Sequence, residues 1–164
     1  MASTTTITAV RDAIASTVDA LTPATHSDKL YRRSPRRYPL RVWAGEQTKS
    51  SAAFRKYEIV RTGPAIDAPL MDPSAVERVE ILTMTVAYPT LPGLYATGTE
   101  ERDEMDEVIR QDARQLRDTI FKSSNYLAGQ SAAFVTIQAP DLGDPLMTYQ
   151  DLTIEVRYLE AQSL

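Results

Sequence analysis

The sequence predicts a single α+β domain spanning residues 1–164: a small antiparallel sheet, a central amphipathic helix packed on one face, and an N-terminal helix. Three observations carry this expectation. Between residues 98 and 126, Met105, Val108, Ile109, Ala113, Leu116 and Ile120 recur at three- and four-residue spacing, which places them on one side of a helix. Residues 78–88 (RVEILTMTVAY) and 151–162 (DLTIEVRYLEAQ) alternate apolar with polar positions, the period of half-buried strands. Finally, 164 residues with 43% hydrophobic content suffice to bury one core.

In chain order, the first element is a helix over residues 4–21. Ile7, Val10, Ile14, Val18 and Leu21 step by three or four, Thr4 to Thr6 supply a cap, and Pro23 ends it. Residues 28–53 follow as an extended basic arm or edge hairpin, with Pro35 and Pro39 arguing against a regular helix or a central strand. Residues 54–61 read as a strand with Tyr57 and Ile59 on one face, and residues 62–77 as a long connection holding Pro64, Pro69 and Pro73. In the clear strand at 78–88, Leu82, Met84, Val86 and Tyr88 point one way, and Thr83 and Thr85 the other. The central helix comes next. Thr97 and Glu100 fit a capping box, and acid precedes base along the axis, complementing the helix dipole. A short strand at 132–138, a loop over about 138–150 and the closing strand complete the chain.

Composition excludes several chemistries. Without cysteine there are no disulfides, thiolate metal sites or thiol nucleophiles, and the single histidine, His26, cannot build a multi-histidine metal site within one chain. Sitting in a Pro/Ser/Asp turn, His26 reads as a surface residue. The few glycines are isolated, so there is neither a phosphate-binding loop nor a dinucleotide fingerprint, and no nucleophile elbow is present. No apolar run approaches the roughly 18 residues of a membrane span, and the start of the chain lacks the pattern of a signal peptide. The reading is of a protein without catalysis or cofactor.

The net charge of −4 hides an asymmetry. Residues 28–41 carry Lys29, Arg32, Arg33, Arg36, Arg37 and Arg41 against Asp28, a net of +5 that leaves −9 for the rest. Arginines interleaved with Tyr31, Tyr38 and Trp43 suit either an acidic protein surface or nucleic acid, with the protein interface favoured. Glu100, Glu101, Asp103, Glu104 and Glu107 form an acidic face at the start of the central helix, either a solvated lining or a socket for a neighbour's arginines. Asp112 falls inside the apolar stripe. Such a carboxylate, if buried, needs a partner or a raised pKa, and a structural ion pair with an arginine of the sheet or a neighbouring subunit, or simple exposure at the end of the sheet, is favoured over a catalytic acid. Phe121 falls off the stripe, as an interface residue would.

In its organisation the chain resembles the tail terminator (tail completion, head–tail joining) proteins of tailed bacteriophages. The resemblance lies in the N-terminal helix, the strand RVEILTMTVAYP, the helix EERDEMDEVIRQDARQLRDTI and the closing strand LTIEVRYLE, which together span most of residues 4–160. It implies an α+β subunit in a homo-oligomeric ring, typically a hexamer, on the head-proximal end of the tail tube. There the ring ends polymerisation of the tail tube protein and meets a head-completion or connector protein. DNA passes through the lumen without specific binding, and the protein resides in the virion neck after assembly in the host cytoplasm. A head-closure or neck connector protein is the neighbouring alternative. A nucleic-acid-binding module using residues 29–41 is the alternative of another class.

Overall fold

A computed structural model of the protein describes residues 3–34, 39–46, 51–63, 65–68, 74–95, 101–122 and 126–162. Among these described residues the fold comprises three α-helices and one six-stranded sheet. The helices are α1 (Ile7–Asp19), α2 (Leu40–Glu46) and α3 (Glu101–Phe121). The strands are β1 (Arg32–Arg33), β2 (Lys56–Arg61), β3 (Ile66–Ala68), β4 (Ala75–Pro89), β5 (Gln130–Ile137) and β6 (Met147–Ala161). Their order is β1-β2-β4-β6-β5, with β3 following β2 along the same side of β4. The expected α+β class is what the structure shows.

The centre is the antiparallel ladder of β4 on β6, fifteen residues each, running from Ala75 opposite Ala161 to Pro89 opposite Met147. Alternation sets its two faces. Leu82, Met84, Val86 and Tyr88 of β4, with Leu152, Ile154, Val156 and Tyr158 of β6, are buried in the main core. Tyr57 and Ile59 extend that face on β2, and Ala133 on β5. The apolar stripe of α3 shares this core, and all of Met105, Val108, Ile109, Ala113, Leu116 and Ile120 are buried. Beside it, α1 buries Val10, Ile14, Ala15 and Val18. Thr6 is its cap, accepting from the Ala9 N–H at 3.2 Å. The Tyr57 hydroxyl ties α1 to the sheet, lying 3.0 Å from the Ala15 carbonyl and 2.9 Å from the Asp19 carboxylate.

Four expectations are corrected. Where it is described, the segment 28–53 is not an extended arm. Tyr31, Ser34, Leu40 and Ala44 are buried, β1 joins β2 in a parallel pair, and α2 forms directly after Pro39. Proline is tolerated there because the first helical N–H groups have no intrahelical partner to lose. Leu40, Trp43 and Ala44 sit at helical spacing and cover Ala87, Met147 and Tyr149 on the second face of the sheet. The connection 62–77 contains β3 and the start of β4, and the loop 138–150 ends early, because β6 begins at Met147. The strand expected from residue 54 starts at Lys56. The capping pair Thr97 and Glu100 lies outside the described residues.

Candidate functional site

Inside the core, Asp112 meets Arg55. The guanidinium grips the carboxylate with two bonds, Nε to Oδ2 at 2.6 Å and Nη2 to Oδ1 at 2.8 Å. Its remaining N–H groups donate to the backbone carbonyls of Thr25 at 2.8 Å and of His26 and Lys29 at 2.9 Å. The Tyr88 hydroxyl donates to Asp112 Oδ2 at 2.9 Å. Arg55 is 0% and Asp112 1% exposed, and the guanidinium lies over the rings of Phe54 and Tyr31. Both charges are therefore out of water, and all five donors of the arginine are used. Burial works against the Arg55 charge, but the Asp112 hydrogen bond and charge outweigh it and hold the guanidinium above its ordinary value. For Asp112, burial raises the carboxyl above the usual carboxylate value, while Arg55 and then Tyr88 act in the opposite sense. Burial, then the Asp112 charge, lifts the Tyr88 hydroxyl well above the usual phenol value. The arrangement is that of a buried, fully hydrogen-bonded ion pair.

Arg55 escaped the sequence reading, which placed it in a regular strand. It sits instead at φ +56°, where non-glycine residues are uncommon. Left-handed backbone costs an L-residue roughly 1–2 kcal/mol, and a glycine would avoid that cost but carry no guanidinium. His26 is also more than a surface turn residue. It has φ +47°, is half-buried, and presents its ring edge-on to Phe54 and Tyr95.

The acidic face is partly as expected. Asp103 and Glu104 stand exposed on the first turn of α3. Glu101 accepts from the Tyr95 N–H at 3.4 Å, and Glu107 is held by Arg110 and Gln111, each at 2.9 Å. Glu100 lies outside the described residues, as do Arg36 and Arg37. Of the remaining arm arginines, Arg33 pairs with Asp12 of α1 at 3.0 Å, and Arg32 is exposed and donates to the Tyr31 carbonyl at 2.9 Å. Arg41 pairs with Asp141 at 2.8 Å and lies over the Tyr149 ring. The basic segment is thus folded onto its own chain where it is described, and the structure does not bring it to the acidic start of α3.

Phe121 ends α3 at 51% exposure and packs on Phe134 of β5, itself 47% exposed, with ring centroids 5.8 Å apart. Strand β5 is an edge, with no described strand on its outer side. The opposite edge is formed by β1 over the start of β2, by the rest of β2 beyond it and by β3, and it exposes Val60 and Ile66 at 39% and 64%. Sequence alternation shows which residues share a face. It does not show which strands end the sheet, so Phe134, Val60 and Ile66 were not singled out. No family model and no curated protein matches this chain.

Proposed function

We propose that the chain is a virion structural protein, a tail terminator that forms a ring at the head-proximal end of a phage tail, ends polymerisation of the tail tube and joins it to the head connector. The observation that carries the reading is the sheet, which has two open edges among the described residues. Each edge exposes apolar side chains, and the two sets differ: Phe121 and Phe134 at one edge, Val60 and Ile66 at the other. Unlike patches on opposite sides of a subunit suit head-to-tail contacts, which close into a ring when the rotation permits. The place proposed for the ring follows from the resemblance of the sequence organisation to tail terminator proteins. On this reading Asp103 and Glu104 belong to an acidic lumen lining that repels DNA, so that DNA passes without sticking. With Arg33 held by Asp12, the acidic helix start is not assigned a partner in the basic segment. The particle mass of the purified protein tests the ring, and an image of tails with and without the protein tests its place. A single-subunit mass at every concentration, together with tails of normal length and finish in its absence, would overturn the reading.

A further inference from the structure

We infer that the contact between neighbouring copies is made by strand pairing, the β5 edge of one copy joining the β3 edge of the next, with Phe134 seated against Ile66. The inference rests on the ring reading above and specifies its interface. Three features of the sheet point to it. Phe134 and Ile66 lie on the same face: Phe134 is level with Glu155 and Ile81, and Ile66 with Val79, two residues along β4. A small stagger between copies therefore brings the two side chains together on one side of the shared sheet. Strand directions also agree. Strand β5 is antiparallel to β6, β6 to β4, and β3 to β4, so β5 and β3 run in opposite directions. Two copies side by side in the same orientation thus present an antiparallel pair. Lastly, an outer edge carries unpaired backbone groups and invites another strand. Here the invitation is reinforced by exposed apolar side chains at both ends of the sheet, Phe134 with Phe121 and Ile66 with Val60. The occupant that satisfies both edges at once is a second copy of this chain.

The chain has no cysteine, so cysteines placed at the two edges report this contact without background. The experiment uses Phe134→Cys, Ile66→Cys and the double variant, oxidised and run on a non-reducing gel, beside the particle mass of the unaltered protein. The expected result is a covalent ladder from the double variant, ending in a closed species, and only monomer from either single variant. Dimers from a single variant mean like meets like and overturn the pairing. An oligomer with no ladder from the double variant overturns the pairing and leaves the ring reading standing. A single-subunit mass with no ladder overturns both. Phe134→Asp supplies a second arm. It is expected to disperse the assembly while the subunit still melts cooperatively as a folded domain, and an undisturbed assembly contradicts the proposal.

Discussion

Asp112→Asn removes one buried negative charge and leaves Arg55 in place, 0% exposed and still bonded to the carbonyls of Thr25, His26 and Lys29. Three neutral carbonyls do not neutralise a guanidinium, and water cannot reach it. Breaking a buried pair from one side costs about 3–5 kcal/mol. For a domain of this size, each kcal/mol shifts the midpoint by roughly 2–4 °C, so the melting temperature falls by roughly 6–20 °C. The double variant Arg55→Met with Asp112→Leu removes both charges together. It forfeits the three loop hydrogen bonds, at about 0.5–1.5 kcal/mol each, but restores an apolar contact. It is therefore more stable than Arg55→Met alone, which strands Asp112. Thermal and urea melts of the three variants measure this. An Asp112→Asn loss below about 1 kcal/mol would place the pair in the class of weak surface bridges and refute the reasoning.

Leu116→Ala, in the α3 stripe and 0% exposed, should cost about 2–5 kcal/mol in urea melts. Phe121→Ala, half-exposed at the helix end, should leave subunit stability within about 0.5 kcal/mol. Tyr57→Phe removes the hydroxyl that holds α1 at Ala15 and Asp19, and a loss of about 1–3 kcal/mol is expected by the same assay. Gly129 has φ +87°, and a Cβ there would stand 2.6 Å from the Ser3 carbonyl oxygen. Gly129→Ala should cost about 1–3 kcal/mol and loosen residues 3–6, read by hydrogen exchange. The Asp141 carboxyl is held below its ordinary value, first by the Gly143 N–H and then by Arg41. Its stabilising effect is therefore full above the ordinary carboxylate range and lost as pH falls through its depressed folded value. A carboxyl NMR titration should show that depression in the native protein and its relief in Arg41→Ala.

The elements with long, regular signals were legible from sequence. Helix α3 is twenty-one residues long and carries its stripe from Met105 to Ile120, and β4 and β6, fifteen residues each, alternate through their central parts, so periodicity outweighed any local ambiguity. The demand of Asp112 for a partner was legible for the same reason, because a carboxylate inside an apolar stripe breaks the pattern. Its partner was not. Arg55 lies fifty-seven residues away and takes a left-handed backbone that no local residue type announces. Helix α2 is seven residues long, too short for periodicity to outweigh Pro35 and Pro39, although Leu40, Trp43 and Ala44 carried the spacing. Strand β3 has three residues and takes its existence from pairing with β4 rather than from its own sequence. The open edges are a property of strand order, which no single stretch encodes.

A reconstruction of the intact neck of the virion, at side-chain resolution, tests the tail terminator proposal most directly. The expected result is a closed ring of this chain between the last tube layer and the head connector, its subunits related head to tail. Absence of the chain from the neck, or its presence there as isolated subunits without a ring, would contradict it.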